Sequence, residues 1–82
     1  MAGWSSLTKR ERAIVARIAA GMTNQEIARD LYVAPSTVKH HVSNALAKLG
    51  ARNRTEAAII ALRVTDPAVR EVFVGTDHAV AG

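Results

Sequence analysis

The stretch STVKHHVSNALAKL, Ser36 to Leu49, gathers most of the side chains in this chain that could do chemistry. Two adjacent histidines follow Lys39, with serines at positions 36 and 43. Such residues suit metal ligation, nucleophilic or acid–base catalysis, or contact with an acidic partner. A helical metal site needs ligands at i and i+4, so that both face one ion. His40 and His41 are neighbours and diverge by about 100° around a helix. The third histidine, His78, lies near the C-terminus, and there is no cysteine to complete a set. No metal and no cofactor is expected. Catalysis by serine needs a histidine base oriented by a third group, and the stretch contains no Asp or Glu. A phosphate-cradling GxxxxGK[ST] loop is missing as well. The chain is not expected to be an enzyme.

The acidic partner is the remaining chemistry, and the charge distribution favours it. The formal net charge is +4 over 82 residues. From Leu31 to Thr55 there is no Asp or Glu, while Lys39, Lys48, Arg52 and Arg54 fall inside that window. The remaining basic and acidic residues cancel, so one segment carries the whole excess. A concentrated basic patch points to nucleic acid. The alternative is a solubilising face, although such faces usually mix both signs.

These residues need elements to position them, and the chain reads as four helices with short joints. Thr8 and Glu11 form a capping box ahead of Ile14, Val15, Ile18 and Ala19, which recur at helical spacing. Gly21 stops that first helix. Thr23 and Glu26 form a second capping box, with Met22 and Ile27 as its hydrophobic staple. Ile27, Ala28 and Leu31 make the inner face of a helix of about two turns. Tyr32 to Ala34 is a short joint, which forces a steep crossing. Pro35 suits the first position of a third helix, and Ala34 is then a poor cap. In that helix Val38, Val42, Ala45, Leu46 and Leu49 share one arc. Ser36, Lys39, His40, Ser43 and Ala47 lie opposite, with Thr37, His41, Asn44 and Lys48 on a flank. Gly50 ends it.

The fourth helix starts at Asn53, and Ala57 to Val64 leave it almost no polar face. A helix that is apolar all round needs burial on more than one side. One side is assigned to the core and the other, with Ala58, Ile59 and Leu62, to a second protein chain. The alternative is that the tail covers it. In that tail, Asp66 and Pro67 suggest a short fifth helix with Val69, Val72 and Phe73 on one face. The last residues are expected to fray. The domain is bounded at 7–64, with a leader at 1–6 and a tail at 65–82. A signal peptide is not expected, because the N-terminus lacks an apolar stretch. The longest apolar run, Ala57 to Leu62, is far short of the roughly 20 residues that span a bilayer. A cytoplasmic location is expected.

Two helices joined by a tight turn, the second carrying positive charge, make a helix-turn-helix, placed at about 24–43 with its recognition helix at about 35–49. Such a recognition helix lies in the DNA major groove while its partner braces the backbone. Lys39, His40 and Ser43 offer donors and acceptors for base edges. Thr23, Asn24, Thr37, Lys48, Arg52 and Arg54 suit phosphates. His41, on the flank, suits either packing or a phosphate. The aromatics Trp4, Tyr32 and Phe73 are scattered, which disfavours single-strand or RNA stacking.

The motifs LTKRE, AAGMTNQEIA, STVKHHVSNALAKLG and NRTEA occur in that order between Leu7 and Leu62. Together they resemble the LuxR-type (GerE-type) helix-turn-helix domain of bacterial transcription regulators. The resemblance implies an all-α, four-helix domain: a tri-helical core whose third helix reads double-stranded DNA, plus a fourth helix that dimerises. It implies base contacts at Lys39, His40 and Ser43. It implies phosphate contacts at Thr37, at Arg54 and at the start of the second helix. His41 matches a histidine of the family and His40 its variable position. Ala34 stands where relatives commonly have serine, and Ser43 where some carry a longer basic residue. An N-terminal receiver or ligand-binding domain, usual in the family, is absent from this chain. The expected function is sequence-specific DNA binding as a homodimer, with a salt slope on the order of −5 for about three neutralising cations per protomer. Two alternatives stay open: a sigma-factor-like promoter-binding module, and a protein-interaction module that uses the fourth helix.

Overall fold

The computed structural model describes residues 3–64 together with Pro67, Val69 and Val72. Among these residues the architecture is all-helical. A 3-10 turn at Trp4–Ser6 precedes α1 (Lys9–Ala19), α2 (Asn24–Leu31), α3 (Pro35–Leu49) and α4 (Arg54–Arg63).

Both capping boxes form. Thr8 Oγ1 accepts from the Glu11 N–H at 3.1 Å, and Glu11 Oε1 accepts from the Thr8 N–H at 2.8 Å. Thr23 and Glu26 repeat the exchange at 3.2 and 2.8 Å. Each box satisfies N–H groups that a helix start leaves without partners. Ala34 caps α3 with no side-chain hydrogen bond, and Pro35 takes the first turn. Asn53 caps α4, its Oδ1 accepting from the Glu56 N–H at 2.9 Å.

Three helices end in the same way. Met22 N–H donates to Arg17 O, Val33 N–H to Ala28 O and Ala51 N–H to Leu46 O, each at 3.0 Å. This closure needs a left-handed residue one position earlier. Gly21 and Gly50 supply it in α1 and α3, with φ of 88° and 67°. In α2 the position falls to Tyr32, at φ 57° and ψ 44°. The joint does without the glycine such turns favour by placing a tyrosine in a conformation that costs roughly 1–2 kcal/mol for a side-chain-bearing residue.

The core has two parts. Ile14, Ile18, Ile27, Ala28, Val38 and Val42 join α1, α2 and the first half of α3. Leu7, Val15, Ala16, Ala45, Ala57, Ala61 and Val69 join α1, α4 and the second half of α3. Leu46 packs against both. The first half of α3 is thus held by α2, leaving its outer face open.

Trp4, placed in the leader by the sequence reading, packs against the second cluster. Pro67, Val69 and Val72 are helical, and Val69 is buried beside the α4 alanines. The expected cap Asp66 and the expected face residue Phe73 lie outside the described residues. On α4, Ile59 and Leu62 remain 43% and 58% exposed. Among the described residues no helix is long and apolar enough to cross a membrane.

Candidate nucleic-acid interface

The outer face of α3 is laid out as the helical spacing requires. Ser36, Thr37, Lys39, His40, Ser43, Asn44 and Ala47 are exposed, while His41 is half-buried at the edge of the packed face. The two imidazoles sit edge to face, with centroids 6.1 Å apart. His40 Nε2 lies 3.3 Å from Asn44 Nδ2, one turn along the helix. Among the described residues no group of three His, Asp or Glu side chains could hold a metal. His78 lies outside them.

A second constellation forms where α2 and α4 begin. The Arg54 guanidinium donates to Asn24 Oδ1 at 2.6 Å and to the Met22 carbonyl at 2.7 Å. Both partners are neutral, so Arg54 keeps its full charge. Thr23, Asn24, Arg54 and Thr55 line an open depression of about 530 Å³, floored by Ile18, Met22 and Ala58. Two helix starts and an uncompensated guanidinium make a favourable place for an anion.

The other cations of the acid-free window behave differently, because carboxylates from outside the window reach them. Lys48, expected at a phosphate, donates from Nζ to Glu11 Oε1 at 2.8 Å. Glu11 is buried at 3% exposure and caps α1 as well. Burial alone would raise its pKa. The hydrogen bond and charge of Lys48 and the Thr8 donors outweigh that and hold it below the ordinary 4.5. Arg52 pairs with Glu56 at 2.9 Å, and the Arg52 N–H donates to the same carboxylate at 2.7 Å. A window without acid in sequence is not without acid in space, and Lys48 is tied to α1.

The structure brings Thr23, Asn24 and Arg54 together and places Lys39, His40 and Ser43 on one exposed face. It sets Lys48 apart from both groups. Ala58 is half-buried against the first core cluster, whereas Ile59 and Leu62 point outward. Sequence reasoning missed the Arg54–Asn24 and Lys48–Glu11 links, which span 30 and 37 residues and leave no local signal. The His40–Asn44 pair was readable, since i and i+4 are neighbours on a helix.

Comparison with known proteins agrees with this layout. The transcriptional regulatory protein LiaR of Bacillus subtilis is 50% identical over 58 residues, covering 71% of this chain and 28% of that protein. The DNA-binding transcriptional activator DevR/DosR of Mycobacterium tuberculosis is 46% identical over 57 residues, 70% of this chain and 26% of the relative. The chain thus spans about a quarter of the length of these two relatives. The spore germination protein GerE of B. subtilis is 41% identical over 58 residues, and there the match covers 78% of the relative. The model of the family described as bacterial regulatory proteins, luxR family, matches residues 5–61. With α1 to α4 inside or at the edge of that match, the chain belongs to the luxR family of bacterial regulatory proteins and carries its GerE-type helix-turn-helix domain.

Proposed function

We propose that this chain binds double-stranded DNA in a sequence-specific way and regulates bacterial transcription, acting in the cytoplasm as a homodimer through α4. One observation carries the reading. Of the four cations between Leu31 and Thr55, Lys39 and Arg54 have no carboxylate partner among the described residues; Lys39 sits on the exposed face of α3, and Arg54, from the first turn of α4, reaches the start of α2. Lys39, His40 and Ser43 then face base edges in the major groove. Thr23, Asn24, Thr37, His41 and Arg54 hold the flanking phosphates. Arg52 can join them, because its exposed i,i+4 pair with Glu56 is worth only about 0.3–0.5 kcal/mol and exchanges easily for a phosphate. Lys48, held by Glu11 of α1, is left out of the phosphate set. Ile59 and Leu62, with Ala58 at their edge, form the dimer contact, supported by their exposure on an otherwise packed helix.

A receiver or ligand-binding domain is a proposed partner, supported by the small share of LiaR and DevR/DosR that the chain covers. A small regulator of GerE's kind is the other arrangement its similarity supports.

Selection of bound sequences from a random DNA pool, followed by binding at several salt concentrations, tests the function. The expected result is a two-fold-symmetric site. With Arg52 and Arg54 as two phosphate-neutralising cations per protomer, the log–log salt slope is about −4, shallower than when Lys48 is counted as well. Binding without sequence preference, or no binding at low salt, overturns the reading. An asymmetric site bound by a monomer would instead favour a sigma-factor-like module.

A further inference from the structure

Asn44 has no role in the reading above, yet its geometry gives it one. It is exposed on α3, one turn beyond His40. Measured around the helix from the point opposite Val38, Val42 and Ala45, Asn44 lies about 50° from the centre of the outer face, against about 90° for Lys39. It is therefore better centred on the surface that would enter a groove. Its Nδ2 lies 3.3 Å from His40 Nε2.

The chemistry of that contact is restrictive. Nδ2 carries only donor hydrogens, so in this contact the amide donates one of its two hydrogens to the ring nitrogen. The hydrogen anti to the carbonyl can serve His40 and leave the other edge of the amide whole. That edge carries Oδ1, an acceptor, beside the second N–H, a donor. Adenine presents the complement in the major groove: N6 donates and N7 accepts, and bidentate pairing by Asn or Gln is the common way to read it. Without a neighbour to hold it, an exposed asparagine amide can turn over and exchange donor for acceptor. In this contact His40 holds the amide with Nδ2 toward the ring and Oδ1 away from it.

We propose that Asn44 is a specificity-determining residue that reads adenine, and that His40 acts mainly as the positioning residue that fixes the amide. This rests on the DNA-binding reading above. It changes what His40 does: its effect on recognition passes through Asn44 and falls at the same base pair.

The test uses the full chain and its selected DNA site, with every single-base variant of one half-site. Asn44→Ala, His40→Ala, the double variant and Lys39→Ala are compared with the parent chain. Thermal melts check that each variant folds, and two exposed positions on a well-formed helix should tolerate alanine. The expected result is an adenine preference in each half-site that Asn44→Ala reduces roughly ten- to a hundredfold. His40→Ala relaxes preference at that same pair, the double variant is no worse than Asn44→Ala, and Lys39→Ala acts at a different pair. An unchanged profile in Asn44→Ala overturns the proposal while leaving DNA binding intact. Loss at separate pairs for His40→Ala and Asn44→Ala, or additive losses in the double variant, overturns the positioning role. A parent chain with no sequence preference overturns the underlying reading instead.

Discussion

Two lysines on one helix, nine residues apart, have opposite fates. Lys39 has no acid partner among the described residues, and Lys48 is held by Glu11. Lys39→Ala should cost about 1–3 kcal/mol of DNA binding and relax preference at one base pair. Equal weakening on every sequence, read by competition binding, would make Lys39 a phosphate contact. Lys48→Ala should leave the salt slope unchanged and lower stability. Removing one member of a fully buried pair costs roughly 3–5 kcal/mol. Lys48 is partly exposed and Glu11 keeps its Thr8 N–H donor, so about 1–2 kcal/mol is expected in denaturant unfolding. A flatter salt slope in that variant would return Lys48 to the interface. The exposed face of α3 was legible because His40 and Ser43 fall opposite an apolar arc, with Lys39 on the flank beside them. The fate of Lys48 was not, because its partner comes from a helix 37 residues earlier.

At the scale of elements, the starts were easier to read than the stops. Thr8, Thr23 and Asn53 announce three helices through local hydrogen bonds, and each start forms as the spacing predicts. The end of α2 carried no such mark, since no glycine stands there and a left-handed tyrosine takes its place. Tyr32 is 93% exposed, so its ring repays little of that backbone cost. Tyr32→Gly should therefore raise stability by about 0.5–1 kcal/mol, visible as a melting temperature several degrees higher. A lower melting temperature would mean that the ring makes stabilising contacts. The caps also set the response to acid. Glu11, Glu26 and Glu56 are all held below the ordinary 4.5, Glu26 by the Thr23 backbone and hydroxyl donors and Glu56 by the Arg52 N–H and guanidinium. A lowered folded-state pKa contributes stability above the unfolded value and loses it as pH falls through the folded one. Stability should hold as pH drops toward 4.5, then decline below it, in acid titration followed by helical signal. A decline beginning near pH 6 would point to groups other than these carboxylates.

At the scale of the whole molecule, the sequence pattern was enough to give the order of α1 to α4 and the packed faces of α1, α2 and α3. It could not divide the core, since that depends on which half of α3 meets which neighbour. Nor could it show that α4 has a packed side: Ala57 and Ala61 look no different in sequence from Ala58. With Val69 covering part of α4, the outward patch narrows to Ile59 and Leu62. Leu62→Glu should leave the monomer folded, because the side chain is already exposed, and should weaken dimer formation on DNA by tenfold or more, since each 1.4 kcal/mol is a factor of ten. Sedimentation with and without DNA reads this. A dimer unaffected by the new charge would move the contact elsewhere.

Arg54 has a consequence beyond its charge. By gripping Asn24 and the Met22 carbonyl from the first turn of α4, it rivets the helix proposed for dimerisation to the helix that braces the reading head. On the proposed function, a change of pose at α4 would reach α2 through this contact, tying the geometry of assembly to the geometry of reading.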